Sequence, residues 1–126
     1  SGMFKPMQLA AVQALAQGPE WFRELNAGYA ERKVAAGRIF DLLGVDYDHD
    51  SSGLFLWGHV REDNAFLTDD GSASLGERLS DRLLYDAGVF ITPGFIFGEN
   101  GRDYVRISLC AKTEVLAEAE NRIKDL

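Results

Sequence analysis

Cysteine, proline, histidine and positive charge are all scarce in these 126 residues. A single cysteine, Cys110, closes no internal disulfide. That excludes a disulfide-stapled miniprotein and fits a reducing compartment such as the cytoplasm. Thirteen Lys and Arg stand against 20 Asp and Glu, a net charge of −7. Such a surface repels phosphate backbones and anionic membranes, so neither nucleic acid nor membrane is expected as a partner. No apolar run nears the roughly 18 residues needed to span a bilayer. The start Ser1-Gly2-Met3-Phe4-Lys5-Pro6 lacks the uninterrupted apolar stretch of a signal peptide. Ser1-Gly2 reads either as a cloning remnant or as native sequence. Internal repeats, linkers and low-complexity tracts are missing too.

What remains is ordinary globular composition: 46% hydrophobic and 26% charged residues. The length fits one domain, residues 1–126, able to bury about two-thirds of its unfolded surface. Pro6 to Ala16 is a helix by its Leu, Ala and Gln content, with Pro6 in the first turn. Gly18-Pro19 interrupts it. Phe22, Leu25, Tyr29, Ala36, Phe40 and Leu43 then follow a 3.6-residue period and predict a second helix over 19–43, stopped by Gly44. At 1.5 Å per residue that helix is about 37 Å long, enough to bridge two bodies.

Asp46 to Gly53 reads as a loop and Leu54 to Val60 as a strand. Ser74 and Glu77 match a capping box ahead of Leu75, Leu79 and Leu83, a helix ending at Gly88. Val89-Phe90-Ile91 is expected as a short strand, and Tyr104 to Cys110 as another. Thr113 is expected to cap a last helix with Val115, Leu116, Ala119 and Ile123 as its apolar stripe. The order predicts an α+β fold: a small mixed or antiparallel sheet of about three strands, packed on helices and preceded by a long N-terminal helix.

Few residues invite chemistry. Asp46-Tyr47-Asp48-His49-Asp50 fails the calcium-loop pattern, because its sixth and twelfth positions hold Ser51 and Trp57. A solvated acidic loop is expected, and no metal site. His59 reads as a structural histidine and Cys110 as a packed thiol. Gly94, Gly98 and Gly101 fit neither a P-loop nor a dinucleotide fingerprint. Arg106 is the most informative charge. In the strand from Tyr104, alternation puts Val105, Ile107 and Leu109 on one apolar face and Arg106 at the centre of the other. A guanidinium there can grip a carboxylate with two parallel charge-assisted bonds. The plainer reading, a solvated face of a half-exposed sheet, stays open.

Gly88-Val89-Phe90-Ile91-Thr92-Pro93-Gly94-Phe95-Ile96-Phe97-Gly98, followed by Tyr104-Val105-Arg106-Ile107-Ser108, resembles the C-terminal part of class I/II aminotransferases. These are the fold-type I enzymes that use pyridoxal 5′-phosphate. Gly53-Leu54-Phe55-Leu56-Trp57 resembles a further strand of that family. The opening residues through Ala11 resemble the start of the helix that follows its cofactor-lysine segment. Asn26, Tyr29, Arg32 and Lys33 are similar to a motif on its interdomain helix.

The resemblance implies a C-terminal small domain with the interdomain helix at about 19–43. It implies that Arg106 binds the substrate α-carboxylate. Gly53, Pro93, Gly94, Phe97 and Gly98 would shape the active-site wall. The parent would be a homodimer passing an amino group between an amino acid, with aspartate expected, and a 2-oxo acid. The family's Schiff-base lysine motif has no counterpart around Lys5, Lys33, Lys112 or Lys124. No catalytic or cofactor-binding residue is therefore expected in these residues, and this stretch alone is expected inactive and without bound cofactor. The alternative is a stand-alone module that binds an amino-acid carboxylate. The apolar side of the first helix, with Met7, Leu9, Val12 and Leu15, is expected to drive self-association.

Overall fold

Pro6 stands in the first turn of α1 (Lys5–Leu15), where its missing N–H leaves no bond unmade. The computed structural model describes residues 2–126; Ser1, and with it half of the Ser1-Gly2 question, lies outside the described residues. None of the residues of α1 is buried. After Gly18 the chain enters α2 (Pro19–Leu43), which ends where Gly44 takes the left-handed conformation at φ 65°. The continuous apolar stripe of α2 meets two environments. Ala35, Ala36, Ile39, Phe40 and Leu43 are buried, whereas Trp21, Phe22 and Leu25 are exposed. Only the C-terminal half of this helix has a core to pack on.

The sheet has four antiparallel strands in the order β1-β2-β4-β3, one more strand than the sequence suggests. They are β1 (Asp46–Tyr47), β2 (Phe55–His59), β3 (Thr92–Pro93) and β4 (Tyr104–Ser108). Asp46 and Tyr47 pair with His59 and Gly58, so the expected loop begins as a strand. The strand expected at Val89-Phe90-Ile91 lies further on, at Thr92–Pro93, which face Arg106 and Val105. The reason sits in the preceding helix. α3 (Leu75–Arg82) widens into a π-helical turn at Leu83–Ala87 before Gly88. The carbonyl of Ile91 is then taken by the Ser80 hydroxyl at 2.6 Å, so residues 89–91 are tied to α3.

Helices α2 and α3 cover one sheet face, and α4 (Thr113–Lys124) packs against α2 and the π-helical turn. Phe40, Leu43, Leu79, Leu83, Leu116 and Ile123 meet Leu56, Val105 and Ile107 there. Burying each such side chain contributes about 1.5–3 kcal/mol. At the start of α3 the Ser74 hydroxyl accepts from the Glu77 amide at 3.4 Å; among the described residues the return bond from Glu77 is not formed. Lys112, not Thr113, precedes the first turn of α4, and Thr113 is its first helical residue. Val115 is exposed rather than part of the buried stripe. Cys110 is exposed in the turn after β4, because the strand ends at Ser108 and the packed environment ends with Leu109.

Candidate carboxylate-binding site

Residues directly opposite in an antiparallel pair share a face. In β2 and β4, Phe55 faces Ser108, Trp57 faces Arg106 and His59 faces Tyr104. Thr92 of β3 flanks Arg106 on the other side. The sheet face turned away from the helices thus carries three aromatic rings, a histidine and one permanent cation, Arg106, at its centre. His59 is half-buried and meets the Tyr104 ring edge-on at 5.1 Å.

The Arg106 side chain does not extend into open water. Its guanidinium carbon lies 4.0 Å from the centre of the Phe55 ring and 4.4 Å from that of Phe97. Trp57 supports Phe97 edge-on at 5.3 Å. Arg106 Nε is buried with no hydrogen-bond partner. None of the ion pairs among the described residues includes Arg106. A partly buried cation with no counter-charge is costly unless a ligand supplies one. Its planar fork suits a carboxylate.

The bend before β4 brings Phe97 to this place. Gly94–Phe97 forms a single 3₁₀ turn after Pro93. A Cβ on Gly94 would meet the Gly101 carbonyl and come within 2.8 Å of the Tyr104 carbonyl, so only glycine lets the bend lie on the start of β4. Of the sequence-derived residues, the structure brings Pro93, Gly94 and Phe97 to Arg106 or to its strand. Gly98 ends the 3₁₀ turn at φ 122° with open space around it. Gly53, at φ 103°, lies in the loop two residues ahead of Phe55, also with open space around it. The roles of Phe55 and Trp57 toward Arg106 escape sequence reading, because they depend on how β2 and β4 are registered.

Beyond β3, Phe90, Thr92, Arg106 and Ser108 line a mostly apolar groove of about 610 Å³ with Val115 and Arg122 of α4. Arg122 is already engaged by Glu118 at 2.9 Å. No lysine lines this groove. Lys33 donates to the Ser51 carbonyl, Lys124 pairs with Glu120, Lys5 opens α1 and Lys112 precedes α4. A pyridoxal phosphate would need a lysine that this groove does not offer, whereas the Arg106 fork has the shape for a carboxylate.

No family model matches the chain. Over 126 residues it is 32% identical to LL-diaminopimelate aminotransferase of Maridesulfovibrio salexigens, covering 100% of this chain and 30% of that protein. It is 36% identical to transaminase BacF of Bacillus subtilis, over 99% of this chain and 29% of that protein. The solved apo structure of BacF superposes with a TM-score of 0.75 at 33% identity, over 98% of this chain and 31% of the other. An aromatic aminotransferase from Pyrococcus horikoshii gives a TM-score of 0.72 at 26% identity, over 94% of this chain and 30% of that chain. Over nearly its whole length the chain is related to one part of these aminotransferases. It spans about 30% of the length of the curated relatives it matches, the share of a small domain. In it, the run Thr92-Pro93-Gly94 folds as the bend that seats Phe97, and Tyr104–Ser108 as the central strand that carries Arg106.

Proposed function

We propose that this domain supplies the substrate-carboxylate arginine of a pyridoxal-phosphate-dependent aminotransferase, which passes an amino group between an amino acid and a 2-oxo acid. The observation that carries this reading is the Arg106 guanidinium, which has no counter-charge and is held on an aromatic sheet face. Two parallel N–H···O bonds from it fix the α-carboxylate and so the direction of the bonds at Cα. Pyridoxal phosphate, when bound, supplies the electron-sink chemistry; its lysine belongs to sequence outside these 126 residues. The bend Pro93-Gly94 with Phe97 and Gly98, and the loop at Gly53, form this domain's share of the active-site wall. The exposed half of α2 runs between the two domains.

Aspartate remains the expected amino donor. Its second carboxylate would be read by the rest of the enzyme, because Arg106 is the one permanent cation on this sheet face. The enzyme is proposed to work in the cytoplasm as a homodimer.

The test is Arg106→Lys in the full-length protein. Lysine keeps the charge and loses the fork. The expected result is a raised KM and a kcat/KM lowered more than tenfold, from a loss of roughly 1.5–3 kcal/mol. An unchanged kcat/KM removes Arg106 from the site. The isolated 126 residues are expected to show no borohydride-trapped cofactor band. A band at 1:1 stoichiometry would place the reactive lysine inside this domain.

A further inference from the structure

We infer that Phe55 and Phe97 are positioning residues. Together they hold the Arg106 guanidinium at one orientation while leaving its charge free for a ligand. This rests on the proposed role of Arg106 and goes beyond it.

A long arginine side chain on a sheet surface normally samples several rotamers, and ordering it opposes binding. A carboxylate can restrain such an arginine. A carboxylate, though, would take up the very N–H groups that a substrate needs and would cancel the charge. An aromatic face restrains the guanidinium by a different route. Its quadrupole attracts the cation through the flat face, perpendicular to the N–H bonds, so the in-plane donors stay available.

The structure has this arrangement twice over. Both ring centres lie within 4.4 Å of the guanidinium carbon. Arg106 Nε is shut away from solvent without a partner, so the head is packed rather than hydrogen-bonded. The two rings come from separate parts of the chain. Phe55 is placed by the β2–β4 register, two pairs along from Trp57 and Arg106 and on the same face. Phe97 is placed by the 3₁₀ turn that Gly94 allows to lie on β4. Trp57, directly opposite Arg106, supports Phe97 from the side. Neither ring belongs to the buried core; Phe55 is 38% exposed and Phe97 51%. A hydrophobic-packing role alone gives no reason for two half-exposed rings to converge on one cation.

The experiment uses the full-length enzyme with Phe97→Leu, Phe97→Tyr, Phe55→Leu and Arg106→Gln, and Phe97→Leu combined with Arg106→Gln. Leucine keeps the apolar volume and removes the π face; tyrosine keeps the face. The expected result for each leucine variant is a KM for the amino acid raised about 3- to 30-fold, with a smaller change in kcat. Tyrosine at position 97 should bring KM back to within about twofold of the parent, on the same cation–π reasoning. Adding Phe97→Leu to Arg106→Gln should change KM no further, because the ring then has no guanidinium to hold. Unchanged KM in the leucine variants overturns the positioning role and leaves Arg106 in place. So does an equal loss with and without the arginine. An unchanged KM in Arg106→Gln alone overturns the carboxylate reading, and the positioning role falls with it.

Discussion

Glycine at position 76 answers a collision rather than a turn. A Cβ there would run into the Tyr104 carbonyl and come within 3.0 Å of the Arg102 carbonyl, where the Gly76 amide donates to Arg102 at 2.9 Å. Alanine improves helix propensity by about 1 kcal/mol. Overpacking against backbone costs about 1–3 kcal/mol and wins, because two carbonyls cannot move aside as a side chain tip can. Gly76→Ala is therefore expected to lower the denaturant midpoint. Gly28→Ala, inside α2 with open space around it, is expected to raise it. Opposite shifts in two chemical-denaturation curves check both; shifts of one sign would show that propensity alone decides. The same contrast explains which residues were legible in the sequence. Arg106 could be found because alternation along one strand needs only local information. Its partners Phe55 and Phe97 could not, since each reaches it through a register or a bend that links residues about 50 and 9 positions apart in the chain.

Helices were read well where period and stop signal agree. α2 ends at Gly44 as its left-handed cap dictates, and the β4 alternation holds from Tyr104 to Ser108. Short strands were not, because two residues give no period: β1 and β3 exist only through their partners β2 and β4. The contact of α2 with α4 was equally hidden. Arg38 of α2 meets Glu120 of α4 at 3.1 Å, and Lys124 one turn on reaches the same carboxylate at 2.6 Å. These bonds, from Lys124 first and Arg38 second, hold the Glu120 carboxyl below the usual carboxylate range. The folded domain therefore binds that proton less readily than the unfolded chain does. The contribution is complete above the ordinary glutamate range and fades as pH falls through the lowered folded value. Glu120→Gln is expected to cost about 0.5–1 kcal/mol at neutral pH, the scale of a partly exposed pair. The difference from the parent domain should shrink as pH falls through the lowered folded value and the parent carboxyl takes up its proton. Urea curves at neutral pH and at a series of acidic pH values test this. A difference that stays constant would mean the cost is packing and not charge.

The whole molecule is unevenly finished. One end, around Phe40, Leu79 and Ile123, is a closed core. The other end is α1 and the first half of α2, where Met7, Leu9, Val12, Leu15, Trp21, Phe22 and Leu25 all face solvent. A helix of 11 residues is marginal in water by itself, and most helical stability comes from packing an apolar side. In a longer polypeptide this end has the remainder of the chain to pack on. For the 126 residues expressed alone, the same surface has only another copy of itself. The expected outcome is a concentration-dependent dimer that exchanges or pairs α1. Leu9→Glu with Val12→Glu places two charges on that side and should return the domain to a monomer without moving its thermal midpoint, because α1 contributes no buried residue to the core. Light scattering from about 10 µM to 1 mM, where weak self-association becomes visible, decides it. A parent domain that stays monomeric across that range would show that α1 frays into solvent when its partner surface is missing. A dimer that persists in the double variant would move the contact to the groove between β3 and α4.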